Sequence, residues 1–63
     1  MSEEDLETIA QMEKRGGSFV KALANAARFA DPDNLATIKI AFPGYWKTYR
    51  DRAVVALSER KGS

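Results

Sequence analysis

The sequence predicts an all-α fold, a compact bundle of three to four short helices completed by self-association. Three observations carry this prediction. Apolar residues recur at spacings of three and four along most of the 63 residues, the period of a helix with one buried face, and never settle into the alternation of a half-buried strand. Capping and breaking residues divide the chain at Gly16–Gly17–Ser18, Asp31–Pro32 and Pro43–Gly44. The chain also contains no cysteine and no histidine, which removes disulfides and nearly all transition-metal sites as stabilisers of a small core. Ordering costs roughly 1.5 kcal/mol per residue, comparable to what a small core gains at about 25 cal/mol per Å². Self-association or a partner chain is the expected remedy. One domain over residues 1–61 is expected, with residues 62–63 frayed.

The first helix is expected over about Ser2 to Arg15. Ser2 is a good N-cap, acidic groups fill the first turn, and Lys14 and Arg15 suit the carbonyl end. Leu6, Ile9, Ala10 and Met12 form its inner stripe. Gly16 is expected in the left-handed conformation that ends many helices. Ser18 is then expected to cap the second helix, with Phe19, Leu23, Ala26, Ala27 and Ala30 on one face, widened by Val20, Ala24 and Phe29. Its many alanines keep it narrow, so this helix is expected to be the central element.

Asp31 and Pro32 restart the chain as N-cap and first helical residue. Leu35, Ile38, Ala41 and Phe42 supply a short stripe before Pro43 forbids continuation. The third helix is expected over about Pro32 to Ala41. The fourth starts near Pro43 or Gly44 and runs toward Arg60, with Trp46, Tyr49, Ala53, Ala56 and Leu57 inside. Tyr45, Val54 and Val55 fall partly outside that stripe, and Lys47 and Asp51 are spaced to form an exposed i,i+4 pair.

Charge excludes some classes. Ten basic against nine acidic residues leave a net of +1, far from the footprint of a typical nucleic-acid binder. Glu3, Glu4, Asp5 and Glu7 crowd the start; Lys47, Arg50, Arg52, Arg60 and Lys61 crowd the end. No apolar run approaches the ~20 residues of a membrane span, and the acidic start lacks an apolar signal region. A cytoplasmic protein with no membrane partner is expected.

Without histidine or cysteine, the commonest general base and the thiol nucleophile are missing, and no enzyme, cofactor or metal site is expected. Asp31, Asp33 and Asn34 lack the glycine and distal glutamate of a calcium loop, and capping explains them. Two segments remain as candidate sites. Lys14, Arg15, Gly16, Gly17 and Ser18 place two cations beside the free amides of a helix start, an arrangement suited to phosphate or carboxylate if the cations point back over the amides. The same residues also make a helix-turn-helix junction. Tyr45, Trp46, Lys47, Tyr49 and Arg50 interleave aromatic and basic groups, a mixture found at interface hot spots and on base-stacking surfaces. Trp46 and Tyr49 fit equally as core anchors, which leaves Tyr45, Lys47 and Arg50 as the exposed contacts.

The strings GGSFVKALANAARFADPDN and IKIAFPGYW, with Tyr49, resemble a group of short phage- and prophage-encoded proteins with a GGSFV-x-ALA, AD-x-x-N, AFP-x-YW pattern. The resemblance covers about Met12 to Tyr49, and Gly44 stands where such proteins often carry an acidic residue. It implies a genetic setting in an infected or lysogenic bacterial host and no catalytic residue. The leading expectation is a phage-type accessory protein that binds a host protein, a defence or regulatory component, as a homo-oligomer. The alternative is a binder that sequesters nucleotides or other phosphorylated small molecules. A third reading, a nucleic-acid binder with helices two and three as a helix-turn-helix, sets Asp31 and Asp33 against phosphates at the start of the reading helix.

Overall fold

The computed structural model describes residues 1–62. Four helices follow one another with only one to three residues between them: α1 (Glu3–Arg15), α2 (Ser18–Arg28), α3 (Pro32–Ala41) and α4 (Pro43–Gly62). No strand occurs among the described residues, and the fold is a small all-α bundle. Helix α4 carries through Gly62, and Ser63, part of the end expected to fray, lies outside the described residues.

Two starts obey the capping rules. The Ser2 hydroxyl accepts from the Asp5 amide at 3.0 Å, and the Asp31 carboxylate accepts from the Asn34 amide at 2.7 Å, ahead of Pro32 in the first turn. The junction between α1 and α2 departs from expectation twice. Gly17 is the N-cap of α2, and Ser18 is already helical and makes no capping bond. Gly16 is extended, with φ −79° and ψ 159°, and no glycine among the described residues has a positive φ. Gly16 is required for space instead. A β-carbon there would stand 2.6 Å from the Met12 carbonyl oxygen and 2.7 Å from the Val20 Cβ, and closer still to Val20 Cγ1.

That close approach sets the packing. Helix α1, and not α2, is the shared element: its interfaces with α4 and with α2 are the two largest, while α3 makes smaller contacts with α2 and α4. The core comprises Ile9 and Met12 of α1, Val20, Leu23, Ala24 and Ala27 of α2, Leu35 of α3, and Trp46 of α4. Ala30, Ile38, Phe42 and Tyr49 pack against it. Ala53 is also fully buried.

The α2 stripe is thus centred on Val20, one residue beyond the expected Phe19, because Val20 is the side chain that meets Gly16. The rotation leaves Phe19, Ala26 and Phe29 exposed, and Leu6 of α1 is exposed as well. Thr8 and Gln11 are buried in their place. Each satisfies its polar atoms along its own helix: Thr8 Oγ1 donates to the Glu4 carbonyl at 2.7 Å, and Gln11 Nε2 donates to Glu7 Oε2 at 2.9 Å. Polar groups satisfied in this way can be buried at little cost.

Ion pairs staple the exterior. Arg28 donates to both Glu13 oxygens at 3.0 and 2.6 Å, Lys39 meets Asp5 at 2.9 Å, and Arg60 meets Glu7. Burial pulls the Asp5 carboxyl up, but the Lys39 ammonium and the Ser2 bonds outweigh it and hold the group below its ordinary value. The Gln11 bond and then Arg60 lower Glu7; the Arg28 bond lowers Glu13.

Candidate functional site

The structure separates both segments that the sequence groups together. In the first, Gly16 donates its amide to Met12 O at 2.9 Å and so closes α1. Arg15 turns back along its helix, Nε donating to Gln11 Oε1 at 3.0 Å, and lines a depression with Gln11, Arg52 and Glu59. Arg15 is thus engaged along its own helix, and Gly16 and Gly17 form a tight junction between α1 and α2.

In the second segment, Trp46 is buried and Tyr49 half-buried against the core. Lys47 donates to Asp51 at 2.8 Å, the expected i,i+4 pair, and Arg50 approaches Asp51 at 3.6 Å. The Lys47 bond is the main cause of the lowered Asp51 carboxyl. Lys39 lies over the Trp46 ring at 5.3 Å from its centroid, and Trp46, Lys47 and Arg50 share a shallow depression with Glu4 and Asp5. Tyr45 belongs elsewhere. It lines a different depression, with Ala41, Phe42, Gly44 and Thr48.

What the fold assembles instead is an aromatic corner. The start of α2 brings Phe19 against the α3–α4 junction, where Phe42 and Tyr45 stand. Ring centroids lie 5.5 Å apart for Phe19–Phe42, 5.7 Å for Phe19–Tyr45 and 6.4 Å for Phe42–Tyr45, with tilted or edge-on geometry. These separations fall in the favourable range for aromatic pairs. Phe42 is half-buried against the core, while Phe19 and Tyr45 face outward, 54% and 44% exposed. Beside them lies an open depression of about 450 Å³ with no charged residue in its lining.

Local sequence explains the arrangement. Phe42, as the C-cap of α3, has φ −129° and ψ 58°, and Pro43 then opens α4 directly. The abrupt turn sets Phe42 and Tyr45 on either side of the junction, and Gly44 has open space where a side chain would start. Phe42 packs against the core as its place on the α3 stripe predicts, whereas Phe19, expected on the inner face of α2, is exposed. The signal for that difference is Gly16, whose lack of a side chain makes room for Val20.

Among the described residues, no group of three or more metal-ligating side chains occurs, and no helix is long and apolar enough to cross a membrane. No known family model, curated protein or solved structure significantly matches the chain.

Proposed function

We propose that this chain is a small accessory protein of the phage type that acts by binding a host protein, and that the aromatic corner is its contact surface. The observation that carries the reading is the set of three neighbouring rings, Phe19, Phe42 and Tyr45, of which Phe19 and Tyr45 are exposed and Phe42 joins them to the core. Rigid, partly exposed aromatic side chains beside an apolar depression are the anchors that dominate protein interfaces. Covering the exposed parts of Phe19 and Tyr45 removes about 200 Å² of aromatic surface from water, a gross gain of roughly 5 kcal/mol before the costs of association. The genetic setting comes from the resemblance of the GGSFV and AFP-x-YW strings, and with it a place in the bacterial cytoplasm and a defence or regulatory component as target.

The test is affinity capture from bacterial lysate with the native chain and with a Phe19→Ser/Tyr45→Ser variant. A host protein held in stoichiometric amount by the native chain and released by the variant supports the proposal. Equal recovery on both, or no stoichiometric protein on either, refutes it. The nucleotide reading has less behind it, because Arg15 is engaged with Gln11, and Lys47 and Arg50 with Asp51.

A further inference from the structure

Most charges of α4 have partners within the chain: Lys47 and Arg50 share Asp51, and Arg60 meets Glu7. Arg52 and Glu59 differ. They are exposed, opposite in sign, and engaged in no ion pair or side-chain hydrogen bond among the described residues. Two turns of helix, about 10 Å along the axis, separate them on one face of α4, beyond the spacing at which helical neighbours pair. The positions three and four away from both, on the side between them, are Val55 and Ala56, which carry no charge. All four residues line a depression of about 330 Å³ between α4 and α1, together with Arg15 and Asp51. Val55 is 58% exposed there.

We infer that this face binds a second copy of the chain, the two α4 helices lying antiparallel so that Arg52 of each copy meets Glu59 of the other. The order of the charges selects that occupant. A two-fold contact sets one surface against itself. In antiparallel helices positions reverse about the axis, and the midpoint of Arg52 and Glu59 falls between Val55 and Ala56. An axis there turns the two unpaired charges into two opposite-sign pairs and sets Val55 of one copy against Ala56 of the other. A parallel pair would oppose arginine to arginine and glutamate to glutamate, and would repel. No other depression carries this pattern. The two lined by Asp5 and Lys39 already hold that ion pair, and those beside Tyr45 and Phe29 have no charge in their lining.

Electrostatics sets the character of the contact. Two exposed charge pairs over a small apolar centre give a weak dimer in exchange with monomer, and salt screens it. Reversing the sign at one of the two positions converts both attractions into repulsions, which weakens association about tenfold or more. A mixture of Arg52→Glu and Glu59→Arg chains behaves otherwise. One chain then presents two acidic groups and the other two basic groups, so the mixed dimer regains both attractions.

Sedimentation equilibrium from micromolar to millimolar protein tests this on the native chain, Arg52→Glu, Glu59→Arg, the double exchange, and an equimolar mixture of the two single variants. Circular dichroism checks that each is folded. At low salt the native chain should rise from 7.0 kDa toward twice that mass, and should rise less at about 0.5 M salt. Each single variant alone should associate about tenfold more weakly, or worse. The mixture and the double exchange should return to native behaviour. A native chain that stays monomeric throughout overturns the inference, as does association that salt leaves unchanged. So do single variants that associate like the native chain, or a mixture that associates no better than its components. The salt comparison needs only the native chain, so an unfolded variant does not remove the test. No reading involves a host partner or the aromatic corner, so failure here is distinct from failure of the proposed function.

Discussion

Replacing Gly16 with alanine adds one methyl group at the point where α1 and α2 come closest. The new Cβ would meet the Met12 carbonyl oxygen at 2.6 Å and the Val20 Cβ at 2.7 Å. One of these neighbours is backbone and the other is the root of a buried, β-branched side chain, so neither can yield by rotating a bond. Forcing a methyl group into such a site costs about 1–3 kcal/mol. The φ of −79° is ordinary for any residue, so no backbone penalty is added, and reduced freedom of the unfolded chain returns about 0.4–1 kcal/mol. The net loss is roughly 1–2 kcal/mol, which lowers the melting temperature of a domain this small by roughly 5–15 °C. Gly44→Ala is the control, since nothing lies within 4 Å of its added Cβ and the residue sits within α4 and is not a cap. Thermal and urea unfolding followed by circular dichroism would measure both. A Gly16→Ala chain that melts at or above the native temperature would refute the argument, as would an equal loss in Gly44→Ala.

Gly17→Ser should stabilise by a few tenths of a kcal/mol, because α2 now begins without a side-chain cap and serine supplies one; an unchanged or lower urea midpoint speaks against Gly17 as the N-cap. Trp46→Ala should cost about 3–5 kcal/mol, enough to unfold much of so small a chain at room temperature, and a cooperative native-like melt would contradict its place in the core. Lys47→Ala with Arg50→Ala should leave the melting temperature within error of native, since both pair with Asp51 on an exposed surface. Acid should destabilise the fold. The carboxyls of Asp5, Glu7 and Glu13 sit below their ordinary values of 3.8, 4.5 and 4.5 in the folded chain. The unfolded chain therefore binds more protons, and the stability these groups contribute is present above those values and lost as pH falls through and below them. Melting temperatures should be flat from about pH 7 to about pH 5 and drop below that, and a flat or rising profile down to about pH 3 would break the assignment.

The sequence alone determined the local structure, because its causes are local. Ser2, Asp31 with Pro32, and Pro43 are punctuation whose effects extend over one turn of helix, and three helices begin where those residues direct. The α4 stripe was legible for a related reason: Trp46, Tyr49, Ala53, Ala56 and Leu57 are spaced at three and four, and all five are buried or half-buried. The i,i+4 pair of Lys47 and Asp51 likewise needs nothing beyond its own helix.

Only the tertiary structure decided which face of α2 turns inward. Its sequence marks one side as polar with Lys21, Asn25 and Arg28 and centres the opposite face on Leu23, with Phe19 on one flank and Val20 on the other, so periodicity leaves open which of those two turns inward. The choice falls to a steric contact between helices, Gly16 against Val20, which sequence spacing does not encode. With Val20 inward, Phe19 stands at the corner with Phe42 and Tyr45, and Phe29 lies beside a groove between α2 and α3. The packing of whole helices likewise makes α1 the shared element and places Thr8 and Gln11 in the interior. Helix ends are set by neighbours along the chain; exposed surfaces are set by what two helices can bring together without collision.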